Sequence, residues 1–367
     1  MKIILMGHVD GLGGAQTAFR KLVDFCLNEK HEIKIIAITD NNGADDLFDK
    51  ELILCKILHH TSTNFKRLKK VSQLSYACIT ARLLNPDMFI SVGLSNSPNL
   101  IARFLSNNCF KVGQDFLAER TFSDPLFKRS VSAFDGIAVQ SPSMLDTLIP
   151  NKVNNPGLNW LPCFPELPVE GVLRKKSNHD DGVYKISYFG RLAGNKGLPL
   201  LLRAFASVLI HENTTLDIWG GGKEETPLKN LTTELGLNNQ VKFKGLYPDG
   251  AETANLISSY DALVLTSTEM EGLPLILIEA MAYGVPFLAT DVGAIKDCCI
   301  NNPDTILVKP SINAIAEGLK DLVKKIKMGE FDPERQRIYY EQNYSYNVMA
   351  ANWRKCLTDP KNFFHKQ

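Results

Sequence analysis

Short apolar runs return along the whole chain with amphipathic stretches between them, and one interruption divides the series in two. The runs cover residues 3–6, 33–38, 88–92 and 136–139, then 186–189, 216–219, 262–265 and 286–289. A strand buried on both faces reads as a continuous apolar run, so this rhythm predicts strand–helix units on parallel sheets covered from both sides. The rhythm stops after Pro165 in a stretch holding Pro168, Gly171, Gly182 and a polar run at 174–181, which reads as a linker. At 367 residues the chain has the length of two cores rather than one. The expected organisation is α/β: a doubly wound, Rossmann-like domain at 1–165, a linker at 166–183 and a second such domain at 184–340. A C-terminal helix at 341–367 then packs back towards the first domain. Ligands of such sheets bind in a cleft at the carboxyl ends of the strands.

Composition narrows the function classes. Lys and Arg total 41 against 40 Asp and Glu, which gives no support to a broad nucleic-acid surface. Up to residue 165 the balance is 18 against 15, a mildly basic first half. The apolar start, 3–6, is broken by Gly7, His8 and Asp10, too soon for the core of a signal peptide. The apolar stretch 273–290 contains Glu279, Gly284 and Pro286, unlike a spanning helix. Eight scattered cysteines without a Cys-x-x-Cys pair suit reduced thiols better than bridges or zinc. A cytoplasmic protein, in reach of the inner face of the plasma membrane, is the expectation.

Two glycine-rich turns are candidate anion sites. The first, His8-Val-Asp-Gly-Leu-Gly-Gly-Ala-Gln16, follows the first strand and opens a helix reaching about Asn28. Glycines let a backbone approach an anion at a helix N-terminus, where amides are unpaired and the dipole is positive. Read from Gly11, the sixth position of a dinucleotide fingerprint is Gln16, so a nicotinamide or flavin cofactor is not expected. Gly13 and Gly14 serve either an anion or merely a tight turn. The second turn, Gly190-Arg-Leu-Ala-Gly-Asn-Lys-Gly197, sets two cations five residues apart at a strand end. Arg191 offers a planar fork and Lys196 a point charge, a pair able to close on a diphosphate from two sides. A solvated surface pair is the alternative.

The third motif is Glu269-Met-Glu-Gly-Leu-Pro-Leu-Ile-Leu-Ile-Glu-Ala-Met-Ala-Tyr-Gly-Val-Pro286. Pro274 suits the first turn of a helix, which leaves the amides of Gly272 and Leu273 to face an anion. Glu271 falls just before that helix and Glu279 inside it, among apolar neighbours, where a carboxylate needs a partner. The vicinal hydroxyls of a ribose would fill that role for Glu279, as would a Lys or Arg on a helix face.

Together these motifs, with Trp219-Gly-Gly-Gly-Lys-Glu224 and Ala289-Thr-Asp-Val-Gly293, resemble the retaining glycosyltransferases of family 4, which have the GT-B fold. The resemblance runs from Lys2 to about Trp353. It implies that Arg191 and Lys196 hold a donor diphosphate and Glu279 the ribose, with Glu271 and the Gly272 and Leu273 amides at the donor sugar. Gly190 would line the same turn. Gly245 and Leu246 would take the base through backbone groups, and Gly14 would meet the phosphate or the acceptor. No metal and no cofactor are implied; the donor is a nucleotide-diphosphate sugar, a UDP-sugar favoured. The acceptor is a glycan or lipid-linked glycan of a cell-surface polysaccharide, and a hexose or N-acetylhexosamine is moved. The alternatives are a non-catalytic sugar-nucleotide-binding module and a sugar-nucleotide epimerase of the same fold.

The chain departs from that pattern in two places. The first-domain stretch 110–125 has no His where many family members carry one. Glu119-Arg120 with Asp124-Pro125 resembles instead a bacterial surface-polysaccharide branch, which puts Glu119 and Arg120, with Gly13, on the acceptor side. Gln114 or Asp115 would take that position in another register. Ala294 stands where the family has a second glycine after Gly293.

A last segment, 64–84, crowds Lys66, Arg67, Lys69 and Lys70 into the first turns of a helix that carries Phe65, Leu68, Val71, Leu74, Cys78 and Ile79 at helical spacing. Cations there oppose the helix dipole. The placement suits anionic lipid heads or a lipid diphosphate, and equally a solvated face above a buried apolar stripe.

Overall fold

The computed structural model describes residues 1–10, 14–40, 47–60, 62–116, 122–149, 156–165, 168–175, 182–210, 212–248, 250–269 and 271–365. The chain forms two compact units, Met1–Phe164 with Met349–Gln367, and Pro165–Val348.

The first unit holds seven parallel strands: β1 (Lys2–His8), β2 (Glu32–Ile38), β3 (Ile53–Ile57), β4 (Met88–Val92), β5 (Phe110–Asp115), β6 (Gly136–Val139) and β7 (Gly157–Trp160). Their order across the sheet is β3-β2-β1-β4-β5-β6-β7, so the winding reverses between β1 and β4. β1, β4 and β6 are buried along nearly their whole length, which is why they read as apolar runs. On one face the helix Gly14–Asn28 buries Phe19, Leu22, Val23, Phe25 and Cys26. The chain's return supplies more of this core. Phe164 stacks with Trp353, whose indole N–H donates to the Pro162 carbonyl at 3.0 Å. Phe364 lies so close to Gly136 and Gly157 that a Cβ at either glycine would stand 2.6 Å from it.

Where one terminal helix was expected, the structure has two, Tyr346–Thr358 and Pro360–His365, broken at Asp359-Pro360 because proline cannot supply the amide that would continue the first. The helix Asn64–Leu84 departs from one of its two alternatives, the buried apolar stripe. Its buried positions are the small Ala77, Cys78 and Ala81, whereas Phe65, Leu68, Val71 and Ile79 of the expected buried stripe are exposed.

The second unit holds six parallel strands: β8 (Tyr184–Phe189), β9 (Thr214–Trp219), β10 (Val241–Gly245), β11 (Ala262–Leu265), β12 (Phe287–Thr290) and β13 (Thr305–Val308). Their order is β10-β9-β8-β11-β12-β13, with the reversal between β8 and β11. The helix Leu198–Leu209 buries Leu198, Leu201, Leu202, Ala204 and Phe205, and it packs beside the helix Ile312–Met328. The buried carboxylate of Asp304 is held by Arg335 through two N–H donors at 2.6 and 2.7 Å, which closes the unit against its last helices.

Candidate active site

A sheet that reverses its winding opens a crevice at the reversal, because the loops leaving the two central strands turn to opposite sides. In the second unit these are the loops after β8 and β11, and they carry the two motifs singled out above.

The first loop is built on glycines that no other residue replaces. Gly197, at φ +65°, stands where a Cβ would come 1.8 Å from the Thr266 carbonyl oxygen, and Gly220, at φ +127°, where it would come 1.9 Å from the Gly190 oxygen. Backbone bonds then join the loops after β8, β9 and β10: Gly190 N–H to Trp219 O, Leu192 N–H to Gly221 O, and Gly220 N–H to Gly245 O at 2.7 Å. The Tyr188 hydroxyl donates to the Arg191 carbonyl at 3.1 Å. Burial, with Glu271 adding to it, pushes that hydroxyl far above the ordinary tyrosine range and keeps it a donor. Arg191 itself is exposed at the loop surface.

Across the reversal the two motifs meet. The Lys196 ammonium donates to both carboxylate oxygens of Glu271, at 2.8 and 2.6 Å, and the Ser267 hydroxyl donates to Glu271 Oε2 at 2.7 Å. Both side chains are largely shielded, 13% and 15% exposed. Thr268 N–H reaches Asn195 O, Thr266 Oγ1 reaches Lys196 O, and Ala294 N–H reaches Glu271 O at 3.0 Å. The glutamate is thereby fixed by the loops after β8, β11 and β12. Ala294, at φ −92°, sits where no glycine is needed. An ammonium has three protons and Glu271 takes two, so one remains for an anion in the crevice.

Next to the pair, the helix Leu275–Ala282 begins after Pro274, its first internal bond running from Leu277 N–H to Pro274 O. Its leading amides therefore carry the positive end of the dipole beside Gly272 and Leu273. Pro274 flanks this helix rather than lying in its first turn. Glu279, half-buried, lies on the helix. At the other side of the crevice the exposed Leu246 lies near Gly221, following Gly245 at φ +76°.

In the first unit Gly14 is exposed at the start of its helix; Gly13, Glu119 and Arg120 lie outside the described residues. Gln114 is buried at the end of β5 and spends its amide on Leu161 O, and Asp115 beside it is buried as well. Sequence reasoning missed a polar cluster at the ends of β1, β2 and β3. Asp10 accepts from the Thr39 hydroxyl and the Asp40 amide, Asp40 accepts from the amides of His59 and His60 and contacts the His60 ring, and His59 packs edge-on against His8. Asp40, His59 and His60 bring one ligand-type atom each within 4.8 Å of one another. Two amides and a ring on one carboxylate account for it as a clamp between strand ends. The sequence signal is that each of these residues lies at, or within three positions after, the carboxyl end of a strand.

Residues 170–342 match the family described as glycosyl transferases group 1. The match spans just under half of the chain. The glycine-walled crevice lies within the matched residues. The whole chain has the GT-B fold: it superposes on the lipopolysaccharide outer core galactosyltransferase WaaB with a TM-score of 0.76 at 19% identity, over 98% of this chain and 100% of that one. Anabaena HepE in complex with UDP superposes with a TM-score of 0.79 at 16% identity, over 98% and 100% of the two chains. An uncharacterized glycosyltransferase of Methanocaldococcus jannaschii is 28% identical over 178 residues, 48% of this chain and 45% of the relative. The chain spans less than half the length of the first curated relatives it matches. Among the described residues no helix is long and apolar enough to cross a membrane.

Proposed function

We propose that the protein is a retaining, metal-independent glycosyltransferase that moves a hexose or N-acetylhexosamine from a nucleotide-diphosphate sugar to a glycan or lipid-linked glycan in surface-polysaccharide synthesis. The observation that carries the reading is the Lys196–Glu271 pair at the reversal of the second sheet, walled by Gly197 and Gly220. A diphosphate leaving group gathers negative charge as its bond to the anomeric carbon breaks. The remaining Lys196 proton, the Arg191 guanidinium and the leading amides of Leu275–Ala282 stabilise that charge without a metal. Glu271, anchored by Ser267 and Lys196, lies beside the position of the transferred sugar and opposes the positive charge that grows at its anomeric carbon. Glu279 accepts from the ribose hydroxyls, and Gly245 and Leu246 bound the base. In the balanced reaction the acceptor oxygen replaces the diphosphate oxygen on the anomeric carbon, and the acceptor proton leaves with the nucleotide diphosphate. The UDP carried by HepE supports a UDP-sugar as the first donor to try.

The test is incubation with a panel of nucleotide sugars, following nucleotide diphosphate release with and without membrane-derived acceptor lipids, in the presence and absence of EDTA. Acceptor-stimulated release that survives EDTA, with the donor's anomeric configuration kept in the product, is expected. Tight binding without release would establish a binding module. Inversion at a ring carbon of the sugar would establish an epimerase. Loss with EDTA that manganese or magnesium restores would remove the metal-free mechanism.

A further inference from the structure

Three helices of the first unit contain no acidic residue at all. Asn64–Leu84 carries Lys66, Arg67, Lys69, Lys70 and Arg82, Asn96–Phe104 carries Arg103, and Pro125–Val131 carries Lys128 and Arg129. In a chain whose charges balance at 41 against 40, eight cations without one carboxylate on consecutive helices is a local excess. The three helices form a single surface. They join β3 to β4, β4 to β5 and β5 to β6, all stepping the same way along the sheet, and right-handed crossovers then put them on one face. Arg82 Nη1 donates to Phe104 O at 2.8 Å and Arg103 Nη2 to Ser132 Oγ at 2.8 Å, tying each helix to the next.

The apolar side chains of this surface point the wrong way for a helix that only covers a sheet. Asn64–Leu84 packs inward through Ala77, Cys78 and Ala81, while Phe65, Leu68, Val71, Tyr76, Ile79 and Leu83 are 55% to 79% exposed. Positions 65, 68, 76, 79 and 83 follow helical spacing, so they form one ridge along the 21-residue helix. Phe104 and Leu126 extend it onto the neighbouring helices. Exposed large apolar side chains gathered on one helix face in this number mark an interaction surface. The cations next to it crowd the helix N-terminus, where the dipole opposes them, so that the end is relieved by an anionic surface.

We infer that this face docks on a membrane surface containing anionic lipid. The helix Asn64–Leu84 lies in the interface, its ridge at the acyl boundary and its cations at the level of the phosphates. A second copy is the poorer occupant, since a self-complementary contact would bring the same cations face to face. The inference is independent of the nucleotide site.

Cosedimentation with vesicles of phosphatidylcholine, with and without phosphatidylglycerol, tests it on the full chain. Binding to the phosphatidylglycerol vesicles is expected, lost in about 1 M salt, where the screening length falls to about 3 Å. The triple change Lys66→Gln, Arg67→Gln, Lys69→Gln lowers the partition coefficient on the order of 100-fold. Leu68→Ser with Ile79→Ser and Leu83→Ser lowers it at least about 10-fold. All six positions are exposed, so both variants keep the wild-type melting temperature and a lost signal is a lost surface. Equal binding to both vesicle types, no binding to either, or binding unchanged in either triple variant would overturn the inference. So would self-association without lipid that the serine variant abolishes.

Discussion

The Lys196 ammonium grips both carboxylate oxygens of Glu271, 75 residues further along the chain, and so bridges the reversal of the second sheet. Because both side chains are mostly shielded, removing either partner strands the other's charge. Lys196→Met and Glu271→Gln should each cost about 2 kcal/mol of stability. The double variant should lose less than the two together, with a coupling of about 1 kcal/mol or more. Thermal unfolding of the four proteins measures it, and strict additivity would mean that the pair is not coupled.

The two glutamates should separate in a binding experiment. Glu279→Gln removes a charged acceptor from the proposed ribose site and should weaken nucleotide diphosphate affinity by about 10-fold or more. Glu271→Gln should leave that affinity within about 3-fold and lower turnover on the order of 100-fold, since its proposed role is at the transferred sugar. Isothermal titration and initial rates read the split; equal affinity losses would reverse the assignment. Arg191→Ala, at an exposed position, should keep the wild-type melting temperature and lose transfer by a similar factor.

Gly197 and Gly194 sit three residues apart in one loop and should behave oppositely. A Cβ at Gly197 would collide with the Thr266 oxygen at 1.8 Å in a left-handed backbone, whereas nothing lies within 4 Å of the Gly194 position. Gly197→Ala should cost more than about 3 kcal/mol and Gly194→Ala less than about 0.5 kcal/mol. Urea unfolding curves of both variants check the contrast.

His8 should make the first unit sensitive to mild acid. Burial, with the neighbouring His59 and Lys70 adding to it, holds its imidazole below the ordinary value of 6.5. The unfolded chain then takes up this proton before the folded one does. The stability contribution is complete above about pH 6.5 and is lost as pH falls from there through the lowered folded value. His31 is shifted in the same direction, so His8→Gln should flatten the decline only in part. The difference in urea midpoint between about pH 7.5 and about pH 5.5 should shrink in the variant. An unchanged difference would exclude His8 as a source.

What the sequence revealed and what it hid divide along burial. Three inner strands of the second unit, β8, β11 and β12, are visible as apolar runs because water touches little of their faces, whereas β9 alternates buried and half-buried positions. The four edge strands, β3, β7, β10 and β13, were not among those runs, and neither was the buried β5, whose Lys111, Gly113, Gln114 and Asp115 break the apolar pattern. Val241-Lys-Phe-Lys-Gly245 alternates and is largely exposed, and one unpaired side relaxes the demand for apolar residues. The motifs that resemble family 4 located Lys196 and Glu271 separately, but their ion pair depends on strand order, which no local pattern encodes. The His8, Asp40 and His60 cluster escaped for the same reason. On the helix Asn64–Leu84 the periodicity was real and its direction stayed open, because spacing fixes which residues share a face and not which way that face points.

The indole of Trp353 bonds to Pro162 from 191 positions further on, and Phe364 fills the space over Gly136 and Gly157. During synthesis the first seven strands leave the ribosome long before those side chains exist. The first unit is therefore begun before the second and completed after it, and it waits through the translation of its partner unit with an uncovered apolar seam. A nascent chain stalled anywhere between would present that seam to chaperones, and a stop codon ahead of Trp353 would damage the unit translated before the intervening one.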